Sequence, residues 1–186
     1  LGDVYKRQIF TILSSCASRQ LEEVTFRRGI ISVPELFVLA EKYFRKANKG
    51  KEFAVSFSTK AIDERVVGDF IQLRFLLENL IDEALSVPLD GKIHLAAAVD
   101  GEYIRFLFTD MRRTKNREEL NQLFYPNLER MTATGEKGEL RGTEYLVCKQ
   151  IIRDHDEFAG KRGCRINAEP AENGGFTVYF TIPRRK

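Results

Sequence analysis

Residues 68–86 read Gly68-Asp69-Phe70-Ile71-Gln72-Leu73-Arg74-Phe75-Leu76-Leu77-Glu78-Asn79-Leu80-Ile81-Asp82-Glu83-Ala84-Leu85-Ser86. This is one amphipathic helix with its start written in. Asp69 followed three residues later by Gln72 has the pattern of a capping box. Leu73, Leu76, Leu77, Leu80 and Ala84 recur at helical spacing and predict a buried stripe. Asn79, Asp82, Glu83 and Ser86 stand three or four apart and share the other face. Amide and carboxylate groups on one flank of a packed helix suit a divalent cation beside a phosphate.

Working outward, the upstream chain predicts a helix over 9–28 (Phe10, Leu13, Ala17, Leu21 and Val24 in register), with Gly29 as its stop. A second helix follows over 33–47, with Pro34 in its first turn. Phe53, Val55 and Phe57 alternate as a strand. Downstream, Ile93, Leu95, Ala97 and Val99 alternate, Asp100-Gly101 signals a hairpin, and Ile104, Phe106 and Phe108 return. A short helical piece over 118–124 and a helix over 143–155 precede two last strands, 165–169 and 176–182. Helices interleaved with hairpin strands predict an α/β fold, an α+β two-layer sandwich. Its mixed sheet has about five strands, with three helices on one face and the N-terminal helix outside.

Composition narrows the function classes. The chain has 186 residues, 43% of them hydrophobic and 31% charged, with a net charge of +3. The charges are interspersed and leave no footprint for nucleic acid. No apolar run approaches the ~20 residues of a membrane helix. Cys16, Cys148 and Cys164 form no CxxC pair, which points to a reduced, cytoplasmic compartment and not to disulfides or zinc. Residues 1–8 resemble a translated sequencing-adapter tail and are set aside as non-native.

Gly68, Asp69, Leu73 and Arg74, then Asn79, Leu80, Ile81, Asp82 and Ala84, resemble the ATP-binding domain of sensor histidine kinases. That family shows a Gly-Asp-x-x-x-Leu-Arg lead-in followed by L-x-N-L-L-x-N-A-x-K. Val147-Cys148-Lys149-Gln150-Ile151-Ile152 resembles its I-C-K-Q-I-V segment, and the likeness spans roughly residues 9–183. The resemblance implies an ATPase domain over 30–186. It makes residues 9–28 the end of a dimerisation and phosphoacceptor helix, and ATP with Mg²⁺ the cofactors. Expected partners are the protein's own dimerisation helices, in a homodimer, or a signalling protein.

By the same resemblance, Asp110 accepts from the adenine amine, Asn79 and Glu83 are the metal positions, and Gly142 and Thr143 open the phosphate-cradling helix. No catalytic residue is assigned. The chain departs from the family at several of these positions. Glu83 stands where the family has its second Asn, and Ser86 where it has Lys. A carboxylate at 83 is still a hard ligand, so a working metal site and a merely solvated helix face both stay open. In a gyrase-type register Asn79 would be the metal residue, but Phe75 would then replace the general base. Arg112 and Thr114 replace two glycines that let backbone approach the base; Arg112 would obstruct the ring, or stack on it. Leu140 and Glu144 replace two more glycines. Glu144 favours the helix dipole and would repel a phosphate by about 4 kcal/mol at 4 Å and an effective dielectric of 20. The lid falls over 127–141.

These departures give the functional expectation: a histidine-kinase-like ATPase domain of a bacterial signal-transduction protein with an eroded nucleotide site, a pseudokinase acting as a binding and relay module. The alternative is an active ATP-dependent protein histidine kinase domain. Local erosion would be repaired by Glu83→Asn with Arg112→Gly and Glu144→Gly, the change at 112 costing little stability in a loop.

Overall fold

The computed structural model describes residues 25–126, 132–134 and 139–186. The tail 1–8, Cys16, most of the expected 9–28 helix and most of the lid lie outside these. Residues 25–28 are not helical, and Gly29 opens a strand instead of ending a helix.

In chain order the elements are β1 (Gly29–Ser32), α1 (Val33–Asn48), β2 (Val55–Lys60), β3 (Arg65–Gly68), α2 (Phe70–Leu85), β4 (Gly91–Asp100) and β5 (Tyr103–Asp110). Then come α3 (Arg117–Asn121), β6 (Thr132–Thr134), β7 (Glu139–Arg141), α4 (Glu144–Phe158), β8 (Ile166–Pro170) and β9 (Phe176–Arg185). One mixed seven-stranded sheet runs β1-β3-β9-β5-β4-β2, with β8 also on β9. The expected count of about five is therefore too low. The missed strands, β1 and β3, have only four residues each, too short for alternation to register. The β2–β4 pairing is parallel and the other pairings of the sheet are antiparallel. β6 and β7 form a separate two-stranded antiparallel sheet within the span expected for the lid.

The α2 stripe behaves as its spacing predicts: Leu73, Leu76, Leu77, Leu80 and Ala84 are all at most 2% exposed. They pack between α1, α4 and the sheet. The Asp69 carboxylate caps the helix, accepting from the Gln72 N–H at 3.1 Å. On the sheet, Phe106 and Phe180 stack with ring centroids 4.8 Å apart, a contact worth ~1 kcal/mol beyond area burial. The other sheet face is open. His94 lies there, its Nδ1 2.7 Å from Ser58 Oγ.

Two glycines are required where β5 ends. Gly175, at φ +80°, lies so close to β5 that an added Cβ would fall 2.1 Å from the Asp110 carbonyl oxygen. Gly91, at φ +138°, leaves room for the Arg112 stem, whose Cγ would lie 2.6 Å from a Cβ there. Both hold open the ground on which the site is built.

Candidate functional site

Asp110 is the last residue of β5 and 1% exposed. A buried carboxylate without partners would take up a proton. Here two consecutive arginines answer it. Asp110 Oδ1 accepts from the Arg112 backbone N–H at 3.0 Å and from Arg112 Nε at 2.9 Å. Its Oδ2 accepts from Arg112 Nη2 and Arg113 Nε, both at 2.9 Å. Burial pushes the Asp110 pKa up, but the Arg112 hydrogen bonds and the two guanidinium charges outweigh it and hold the carboxyl below its ordinary value.

The Arg112 side chain is fully buried. It lies alongside Asp110 and does not extend across the site. Its guanidinium turns back to the end of α2, donating to the carbonyls of Ala84 at 2.6 Å, Val87 at 3.2 Å and Leu89 at 2.9 Å. The last carbonyls of a helix lack intrahelical donors, and Arg112 supplies donors there while neutralising Asp110.

Arg113 is the residue that spans the site. From Asp110 it reaches Glu83 with both terminal nitrogens, Nη1 to Oε1 at 3.0 Å and Nη2 to Oε2 at 2.8 Å. Its guanidinium also lies 5.1 Å over the Phe176 ring. Tyr145, in the first turn of α4, donates to Glu83 Oε2 at 2.5 Å. Burial and the neighbouring Glu83 charge raise its phenol well above the ordinary value, so it stays protonated as that donor. Bidentate arginine–carboxylate pairing is the strong form of this interaction. Asp110, Arg113, Glu83 and Tyr145 thus tie β5, α2 and α4 together.

Of the residues expected from sequence, Asp110 and Glu83 are joined through Arg113. Asn79 lies one turn before Glu83 on α2, 6% exposed, its amide nitrogen donating back to the Phe75 carbonyl at 2.8 Å. Gly142, at φ +83°, and the buried Thr143 lead into α4. Thr143 caps that helix without a side-chain hydrogen bond. Glu144 begins α4 and favours its dipole. Sequence reasoning missed Arg113 and Tyr145. No local sequence signal marks either residue, because their roles depend on which way the side chains turn in the fold.

Among the described residues, no three His, Cys, Asp or Glu side chains form a metal-holding group, and no helix is long and apolar enough to cross a membrane. Burial raises the Cys148 thiol pKa well above its ordinary value, and burial with the Asp156 charge pushes Cys164 up to about 12. Both thiols are free.

The chain is similar in structure to the mycobacterial sensor histidine kinase MprB, with TM-score 0.62, 15% identity and coverage of 86% of this chain and 99% of that one. It is similar to the Acinetobacter baumannii histidine kinase AdeS, with TM-score 0.64, 14% identity and coverage of 100% and 82%. A third similar structure is the histidine kinase ThkA in complex with the response regulator protein TrrA: TM-score 0.61, 22% identity, coverage of 96% and 49%. At these identities the likeness is one of fold. No curated protein matches the sequence. The family model described as histidine kinase-, DNA gyrase B-, and HSP90-like ATPase matches residues 68–186, which contain α2, Asp110, both arginines and α4, and the chain belongs to that family.

Proposed function

We propose that this is a histidine-kinase-like ATPase domain whose nucleotide site is closed by its own arginines, serving a bacterial signal-transduction protein as a binding and relay module. The observation that carries this reading is the Arg113 guanidinium held between Asp110 and Glu83. A carboxylate offers about four acceptor positions. Asp110 uses that many on Arg112 and Arg113, leaving none for an adenine amine. A cation beside Glu83 would compete with a guanidinium and a phenol for the same oxygens. Asn79 spends its amide on its own helix. In this arrangement the residues present do not fit adenine and Mg²⁺.

The scaffold around the closed site is intact, which suits docking. Residues 9–28 would be the end of a dimerisation helix, making a second copy one partner, and the ThkA complex with a response regulator supports a signalling protein as another. The setting is cytoplasmic. Isothermal titration of the 186-residue chain with Mg-ATP tests the reading. The expected result is no saturable heat at millimolar nucleotide. A low-micromolar Kd would overturn it in favour of an active kinase domain. Such binding would also raise stability by about 2.7 kcal/mol at 100 times Kd, visible in thermal melting.

A further inference from the structure

At the far end of α2 from the arginines, the chain entering the domain is fastened to a histidine. His155 lies near the end of α4 and is 0% exposed. Its Nε2 accepts from the Asp69 backbone N–H at 3.0 Å, and its Nδ1 lies 2.8 Å from the Ile151 carbonyl. Only the neutral ring with its proton on Nδ1 satisfies both contacts. One side of the ring is closed by Gly68, where a Cβ would come within 2.8 Å of it. Phe26 meets the ring edge-on, centroids 4.8 Å apart at 78°, and also packs 5.7 Å from the Phe158 ring. The next residue, Arg27, donates its backbone N–H to Asp69 Oδ2 at 2.8 Å. Arg28 lays its guanidinium against Gly160, where a Cβ would fall 2.7 Å from Nη1. Three consecutive residues thus dock onto the α2 cap and the end of α4.

We propose that Phe26–Arg28 is a strap latched over His155 and released when the imidazole takes up a proton. The inference does not rest on the state of the nucleotide site. A proton on Nε2 would face the Asp69 N–H, donor against donor, and the ring would have to seek another acceptor. The Asp69 carboxylate is the charged group acting on the ring, and its Oδ2 is spent on Arg27 while Oδ1 caps Gln72. Turning Oδ2 to the imidazolium frees the Arg27 amide, and the charged ring loses its apolar partner Phe26. The proton comes from solvent and no bond is made or broken covalently.

The other charged groups nearby are otherwise engaged. On α4, Asp154 accepts from Gln150, and Asp156 from Arg162, Gly163 and Cys164. The strap itself brings only the cations Arg27 and Arg28. Burial lowers the His155 pKa, against the Ile151 bond and the Asp69 charge, which fits a ring kept neutral while the strap is down.

The test uses reciprocity: if a neutral ring favours the strap, removing the strap must favour the charged ring. The chain has two histidines, so ring resonances in NMR titrations of the full chain are assigned with a His94→Gln variant. Phe26→Ala should raise the His155 pKa by at least about half a unit, a roughly threefold coupling. An unchanged pKa in a folded F26A variant overturns the latch. The chain has no tryptophan, so F26W supplies a single tryptophan on the strap, excited apart from the tyrosines. Its anisotropy should fall through the His155 titration at a pH where far-UV circular dichroism is unchanged. A flat anisotropy through that titration also overturns the proposal.

Discussion

Replacing Arg112 with leucine separates two readings of this residue. As a loop side chain it would be nearly neutral, within about 0.5 kcal/mol. In the structure it is fully buried, and its loss strips two of the four hydrogen bonds from Asp110 and one donor each from the Ala84 carbonyl at the end of α2 and the Val87 and Leu89 carbonyls just after it. Removing one partner of a buried ion pair costs about 3–5 kcal/mol. Asp110 keeps Arg113, so the lower end applies, ~3 kcal/mol. For a chain of this size that is a fall in Tm of about 6–12 °C. With m near 2 kcal/mol/M it is a fall of about 1.5 M in the urea midpoint. The assay is urea unfolding followed by circular dichroism, with m unchanged. Arg45→Ala serves as control: its pair with Glu41 is solvent-exposed, so the change should cost no more than about 0.5 kcal/mol. A loss below 1 kcal/mol for Arg112→Leu would refute the capping role. The same argument predicts that a repair variant carrying Arg112→Gly loses stability instead of gaining nucleotide.

Arg113→Ala should behave differently: it opens the bridge while Arg112 still neutralises Asp110, so Mg-ATP affinity measured by titration calorimetry should rise at least tenfold, more with Glu83→Asn added; no rise in a folded variant would place the defect elsewhere. In acid, the Asp110 carboxyl, held below its ordinary value, contributes stability that is complete above the unfolded value of about 3.9 and is lost as pH falls through the folded value. Urea midpoints measured downward from pH 5 should therefore drop, and the drop should be smaller in Arg112→Leu. His155, also depressed, adds stability that is complete above about 6.5 and is lost as pH falls toward its folded value; stability should thus decline in a separate, earlier step below neutrality that F26A reduces. Under native conditions a thiol reagent should leave Cys148 and Cys164 unmodified, and rapid labelling of either would contradict their burial.

The scaffold was legible because it is written in local pattern. The α2 stripe runs from Leu73 to Ala84, the alternation in each of β4, β5 and β9 repeats at least three times, and the Asp69 cap is marked by its own side chain. β1 and β3 did not announce themselves, since four residues cannot show a period and their pairing is decided by distant partners. Asp110 and Glu83 were singled out from their places in the motifs, and the structure joins them through Arg113. What became of them was not legible, because it depends on which way two adjacent arginines turn. Arg112 read as a loop residue since nothing local reveals that the end of α2 comes to meet it. Arg113 went unremarked although it carries the bridge.

β9 lies between β5 on one side and β8 and β3 on the other, yet it comes after all of them in the chain. During synthesis, every earlier element must therefore wait for residues 176–185 to clear the ribosome before the sheet can close. Until then β5 exposes the edge meant for β9, with Phe106 and Phe108 on one face and a full row of unpaired backbone groups. Such an edge is a template for intermolecular pairing. The nascent chain is thus most at risk between the emergence of β5 and that of β9, and chaperone dependence should track the emergence of this one strand.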